Sequence, residues 1–310
     1  MTSDRTAYAL LTVMAVAFAG TWVAAPWATD DVTPLTVAFV RFLLASVCLW
    51  AFARISRIPT PILRADLPIA FAMGATAVVG YNILFLYGVT LAPSTDGAII
   101  TPGLVPIVTA VLVRIAYGER LARRGTVGLG LGLVGLVLVV GPAIGGSPER
   151  LLGDLMFIGG AIMWGLYTLI SRRATTRIHP AHATLLATLT GTLMLAPLAF
   201  VERGWEPLLG ASSRSLLSIA YLGVIGTAVA FATFSEGIRR IGSARAAAFI
   251  VLVPVIGVGL SAWLLADPIT PLGIAGAVLV LAGLWLIQTS ARWSPSTPVS
   301  GAPGPPGSVG

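Results

Sequence analysis

The chain has 310 residues, of which 56% are hydrophobic and only 10% charged, with a mean hydropathy of +0.93; a soluble domain carries about 25% charged residues, so a surface of this composition belongs in lipid. The formal charge of +7 comes wholly from arginine, since the sequence holds no lysine, and these arginines fall in short breaks between apolar runs instead of one stripe interleaved with aromatics, which speaks against a nucleic-acid footprint. The single cysteine, Cys48, lies inside an apolar run and rules out an intramolecular disulfide or a cysteine-based metal site.

In chain order, charged or Pro/Gly-rich breaks delimit apolar runs near Tyr8–Pro26, Pro34–Ala53, Leu67–Tyr87, Thr95–Val113 and Val127–Gly141. Five more lie near Leu155–Ile170, His182–Phe200, Leu216–Glu236, Ala244–Ala266 and Leu272–Thr289. Most approach the roughly 20 residues that a helix needs to cross the hydrocarbon. The first run follows only Arg5 and looks superficially like a signal peptide, but its length and its counterpart in the second half predict a retained helix. With Arg5 inside and strict alternation, fifteen of the nineteen arginines fall on one side and Arg150, Arg203 and Arg214 on the other, with Arg41 uncounted. One missed or invented helix would break this asymmetry, so it supports an even count with both termini in the cytoplasm of a cell (inner or plasma) membrane. Residues 291–310, rich in Pro, Ser and Gly, have almost nothing to bury and predict a disordered cytoplasmic tail.

The two halves repeat. Pro106 and Glu119 have the mutual spacing of Pro254 and Asp267, and Gly125, Gly128 and Gly135 match Gly273, Gly276 and Gly283. Upstream, Tyr87-Gly88 aligns with Glu236-Gly237, Pro34 with Pro180, and Phe18-Ala19 with Trp164-Gly165. Five helices per unit is an odd number, so the second unit must enter the membrane from the opposite face. The predicted fold is therefore an all-α, polytopic membrane protein of ten transmembrane helices in two inverted five-helix repeats, residues 1–146 and 147–290, the architecture of secondary carriers with a site near the midplane.

Three stretches carry a family likeness: Thr36-Val37-Ala38-Phe39-Val40-Arg41-Phe42; Leu104-Val105-Pro106 leading to Tyr117-Gly118-Glu119-Arg120-Leu121; and Glu236-Gly237-Ile238-Arg239-Arg240-Ile241-Gly242 with Arg245-Ala246-Ala247. With them the chain resembles the EamA-type permeases of the drug/metabolite transporter superfamily over nearly all of its length. It departs from that pattern at Ala266-Asp267-Pro268, where the family usually has Gly-Glu, and at Ala19, which replaces the glycine of the first Trp-Gly pair. The resemblance implies a non-ATP transporter exporting small metabolites such as amino acids, their derivatives or amphiphilic drugs. It also implies that the helices bearing Trp22, Tyr81, Asn82, Trp164 and Tyr167 line a central cavity, although Trp and Tyr equally suit packing and membrane interfaces.

Charges inside a bilayer cost roughly 2.5 to 3.5 kcal/mol on insertion scales and usually face the bundle interior. Arg41 is such a charge; its repeat counterpart is Ala187, so packing symmetry does not require it. A substrate carboxylate is one partner it suits, bidentately, and a tie between helix ends or an outward snorkel is the other reading. Asp96 at the start of the fourth run and Arg245 at the pseudo-equivalent place in the ninth are gate candidates, with simple helix capping equally open to Asp96. Glu236 is a coupling candidate, but Arg239 and Arg240 at helical i+3 and i+4 favour a local ion pair.

Gly130, Gly132 and Gly135 mimic a dinucleotide fingerprint, but no strand precedes them; Gly128 with Gly132, and Gly273 with Ala277, read instead as small-residue faces that pack the two halves or a partner subunit. His179 and His182 are the only histidines, and no metal cluster, catalytic triad or Lys-containing P-loop can be assembled. No cofactor is expected. The expected partners are a small-molecule substrate and the lipid bilayer, with proton coupling and a homodimer left open. An intramembrane enzyme acting on a lipid-linked substrate, or a scaffold that transports nothing, are the rival readings; the enzyme lacks the convergent acids and histidines it would need.

Overall fold

The computed structural model describes residues 2–58, 63–118, 122–144, 147–242, 246 and 249–290, and among them all regular structure is helical. Glu119, Arg120, Leu121, Arg245, Ala247 and the predicted tail lie outside the described residues. Among the described residues eight helices are long and apolar enough to cross a membrane: α1 Arg5–Thr29, α2 Pro34–Ile55, α3 Arg64–Leu91, α4 Ser94–Tyr117, α5 Arg123–Ile144, α6 Pro148–Ala174, α7 Pro180–Glu202 and α8 Ser213–Ile241. Two shorter apolar helices follow, α9 Phe249–Leu264 and α10 Pro271–Ile287. The chain is thus an all-α, polytopic membrane protein.

Local chemistry sets the ends. Proline occupies the first turn of α2, α6 and α7, where its missing N–H is no loss. Ser147 and Ser212 accept the backbone N–H of Arg150 and Ser215 and so cap α6 and α8. Gly118 ends α4 at φ 69°, a left-handed position that glycine takes without strain. In the middle of α3 and α8 the helix widens into π segments, Gly74–Gly80 and Tyr221–Val229, at matching places of the two halves.

The helices pair by small residues and polar anchors. α2 and α7 run antiparallel: Ser46 lies 3.4 Å from Thr192 in the middle, and at the end Glu202 accepts the N–H groups of Leu35 and Thr36 at 2.9 and 3.1 Å. α5 and α10 are antiparallel as well, with Gly128 against Gly283 and Gly135 against Gly276. A Cβ added at Gly135 would meet the Gly276 carbonyl oxygen at 2.6 Å, so the backbones touch there. The glycine seam therefore joins two helices of one chain, through Gly276 and Gly283, whereas Gly273 meets only the Thr270 hydroxyl. In contrast α4 and α6 run parallel, joined by Asp96 with Arg150, the Thr101 hydroxyl with the Phe157 carbonyl at 3.3 Å, and Val108 against Gly165.

These pairings gather the connections after α1, α3, α5, α7 and α9 at one end, as the contacts Asp31–Ser212, Asp30–Arg214, Asp96–Arg150 and Thr95–Asp267 show. Two-thirds of the acids belong to this acidic end, and the arginines concentrate at the other. The core packs around Trp22, Phe42, Phe85 and Phe157, while Val201, Trp263 and Trp285 stand exposed on the outside, as a lipid-facing surface requires.

The seam is testable by a matched pair. Gly135→Ala forces α5 from α10 and is expected to cost about 1–3 kcal/mol, whereas Gly130→Ala, which meets nothing within 4 Å, is expected to leave stability unchanged. Thermal melting of the detergent-purified variants measures the difference, and equal melting temperatures would contradict a close α5–α10 seam.

Candidate functional site

Arg41 sits mid-helix on α2 and is only 6% exposed. Its Nη1 donates to Asn82 Oδ1 at 3.0 Å and its Nε to Thr227 Oγ1 at 3.2 Å. Both acceptors are oriented by their own helices: Asn82 Nδ2 donates to the Ala77 carbonyl at 3.0 Å, and the Thr227 hydroxyl donates to the Leu222 carbonyl at 2.8 Å. Each of these bonds reaches five residues back into a π segment, so the widened turns of α3 and α8 hold an oxygen lone pair on either side of one guanidinium. The cation also lies 5.2 Å from the Phe42 ring centre and 5.9 Å from that of Phe85. Among the described residues no carboxylate forms an ion pair with Arg41.

From this cage an aromatic chain runs through the bundle. Trp22 meets Phe85 edge-on at 4.9 Å, Phe85 stacks on Tyr81 at 5.7 Å, and Tyr81 meets Trp164 at 5.0 Å. Trp164 in turn touches Tyr167 at 5.4 Å and Phe231 at 6.3 Å. The six residues read from sequence as cavity-lining, Arg41, Trp22, Tyr81, Asn82, Trp164 and Tyr167, thus form one contiguous constellation. Sequence reading missed Thr227, Phe85, Phe157 and Phe231, which complete it. By the alignment of Tyr87 with Glu236 the repeat position of Asn82 is Phe231, with Thr227 one turn before it, and Phe85 lies about one turn beyond Asn82.

The gate candidates stand apart. Asp96, buried at the start of α4, accepts from Arg150 Nε at 2.9 Å, and Arg150 Nη2 lies 2.8 Å from the same oxygen, so α4 is pinned to α6. Thr95 N–H donates to Asp267 Oδ2 at 3.1 Å, which adds the segment after α9. Glu236, at the opposite end, is gripped by Arg239 and Arg240 at 2.5 and 2.6 Å, the local pair that their spacing implies. Arg245 lies outside the described residues. His182 is buried in α7 with Nε2 unbonded among them, and no group of three His, Cys, Asp or Glu among the described residues could hold a metal.

Two clefts open near the acidic end, neither lined by Arg41. One, of about 400 Å³, is polar and bounded by Asp30, Ser94, Arg214 and Asp267. The other, of about 230 Å³, is apolar and lies between α4, α9 and α10. Beside the first, Asp31 accepts from the Ser212 hydroxyl at 2.6 Å, the Ser215 hydroxyl at 2.7 Å and Ser212 N–H at 3.0 Å. These donors, the Ser212 hydroxyl foremost, hold its carboxyl down at about 2.

The sequence pattern of the EamA-like transporter family matches residues 5–141 and again 151–289. An uncharacterized transporter of Bacillus subtilis (strain 168), YyaM, is 26% identical over 89% of this chain and 92% of its own. A probable amino-acid metabolite efflux pump of Escherichia coli (strain K12) is 22% identical over 85% of this chain and 88% of its own. A solved crystal structure superposes with a TM-score of 0.62 at 22% identity, covering 91% of this chain and 96% of that one, which shows a shared fold.

The Asp31 cluster makes a pH prediction. A carboxyl held below its unfolded value contributes stability that is complete above the ordinary carboxylate range, about pH 4, and is lost as pH falls towards 2. The melting temperature of the unmutated protein is therefore expected to exceed that of Asp31→Asn by a constant margin near neutral pH, and the margin to close on acidification through that window. A margin independent of pH would show that Asp31 is not held ionised by these serines.

Proposed function

Because this chain belongs to the EamA-like transporter family of the drug/metabolite transporter superfamily, we propose that it is a secondary-active exporter of small carboxylate-bearing metabolites, amino acids and their derivatives first among them. It is a multi-pass membrane protein of a transporter family and not an enzyme. The observation that carries the cargo class is Arg41: a buried guanidinium with neutral partners, a wall of aromatic rings alongside, and N–H groups left to give. A carboxylate is the ligand whose charge and fork geometry match it. The name of the Escherichia coli relative, an amino-acid metabolite efflux pump, agrees with that class and with export; amphiphilic drugs would use the aromatic wall alone.

In this reading residues 1–146 and 147–290 are inverted five-helix repeats, the tail after residue 290 and both termini are cytoplasmic, and the acidic end faces out. Support comes from the antiparallel pair α2–α7, where Ser46 meets its repeat counterpart Thr192, from the pair α5–α10, where Gly128–Gly283 and Gly135–Gly276 exchange repeat counterparts reciprocally, and from the concentration of arginine at the other end. Arg41 belongs to the first half and Thr227 to the second, so a cargo carboxylate that takes over the guanidinium loosens a tie between the halves. Binding then favours their reorientation, which is the differential contact that alternating access needs. Proton coupling fits the same scheme; a homodimer is not needed by it.

Counterflow and uptake in proteoliposomes against amino acids, amines and antimicrobial compounds, with and without a pH gradient, test the proposal. Arg41→Ala is expected to reduce transport of carboxylate-bearing cargo by roughly 10- to 100-fold, the worth of a charged hydrogen bond, while the protein still accumulates. Unchanged kinetics with every anionic solute would remove Arg41 from the site, and absence of any flux would favour a scaffold. In addition, single cysteines at positions 123 and 239 are expected to react from the same, cytoplasmic face; labelling from opposite faces would end the inverted-repeat reading.

A further inference from the structure

The apolar run read for α6 begins at Leu155, which assigns Asp154 to a loop. In the structure Asp154 lies nearly two turns inside α6 with no exposed surface. Neither of its carboxylate oxygens has a hydrogen-bond partner among the described residues. Two charged groups face it: Arg150, one turn back on the same helix, and Asp96 of α4. Arg150 already spends Nε and Nη2 on Asp96. Asp267, from the segment after α9, faces Asp96 in turn and holds Thr95 N–H. On the α3 side the approach is so close that a Cβ at Gly153 would stand 2.5 Å from the Ala92 Cβ and 3.0 Å from the Gly88 carbonyl oxygen. Neither α3 nor α5 places a charged side chain against Asp154 among the described residues. The buried hydroxyls of Ser94 and Thr95 at the start of α4 are also without partners among them.

Asp154 and Asp96 therefore share one arginine, and Asp154 itself has no exposed surface. An ionised carboxylate in such surroundings is so costly without a donor that it takes up a proton instead, and two acids served by one cation hold a proton between them. We propose that Asp154 is a proton-binding site that controls the acidic end of the bundle: protonated while that end is closed, as here, and ionised once α6 parts from α3 and α4 and water enters. The proton passes between the Asp154 carboxyl and that water. The ionised carboxylate then competes with Asp96 for Arg150, which sits at helical i−4 from it, and so loosens the α4–α6 tie. Closing the end again requires a proton from the compartment it faces. This deepens the carrier reading and rests on it.

The test uses the full chain in lipid nanodiscs. Infrared spectra taken across pH are expected to show a protonated-carboxyl C=O band at neutral pH that titrates away on alkalinisation and is missing in Asp154→Asn. Amide hydrogen exchange in the first two turns of α6, corrected for its intrinsic pH dependence, is expected to speed up by as much as about tenfold per pH unit between the ordinary carboxylate range and the midpoint of that titration, to level off above it, and to stay slow at every pH in Asp154→Asn. If Asp154→Asn does not accumulate, Asp154→Glu must shift the midpoint, and an unmoved midpoint overturns the assignment. So does the absence of an Asp154-dependent band at any pH, or α6 exchange that follows sodium at constant pH, which would make this a sodium site. A protein that shows the band yet moves no solute in counterflow keeps the proton site and loses the carrier reading; one that transports without the band does the reverse.

Discussion

In a bundle surrounded by lipid, polar groups have only one another to bond, and an unmatched one costs several kcal/mol. This constraint organises the interior of the molecule. Arg41 is tolerable because Asn82 and Thr227 turn their oxygens towards it, and they can do so because the π segments of α3 and α8 each give them a carbonyl five residues back. Asp96 is matched by Arg150, and Glu202 is matched by the first N–H groups of α2 and by the Tyr87 hydroxyl at 2.6 Å. Asp154 is the buried acid that departs from it, with neither oxygen matched among the described residues, and it sits where two helices must separate if the acidic end is to open.

The same constraint explains why the two halves meet through small residues. Lipid offers no hydrophobic driving force between helices, so association depends on close backbone approach and on polar ties. Gly128, Gly135, Gly276 and Gly283 supply the approach, and Ser46 with Thr192 a tie between matching positions. The seam is close-packed and apolar, whereas the Arg41 cage is polar and its partners come from both halves. In the carrier reading proposed above, this contrast would supply a contact to turn about and a tie that a ligand can replace.

Much of the candidate site was legible from one-dimensional pattern because its charged member breaks that pattern. Arg41 interrupts an apolar run, and its repeat counterpart Ala187 showed that packing does not demand it. Trp22, Tyr81, Asn82, Trp164 and Tyr167 came from the family likeness, and the structure brings them into one chain of rings around that charge. Thr227 and Phe231 escaped notice, since a threonine or phenylalanine in an apolar run looks like any other packing residue. Asp154 escaped for a different reason: an acid beside a run of hydrophobics marks a boundary in sequence, and only the capping by Ser147 with Pro148 in the first turn carries the helix back past it.

The sequence by itself determined that the chain lies in a membrane, where its helices fall, which end collects the arginines, and that its halves repeat, because hydrophobic length and charge distribution are local quantities set by composition along the chain. What only the tertiary structure decided is which polar groups answer one another. Whether Asp96 caps a helix or binds Arg150, whether Gly276 or Gly273 faces α5, and whether Asp154 meets water depend on which helices touch and at what register. Those contacts join residues that lie tens to hundreds of positions apart, and no local pattern encodes them.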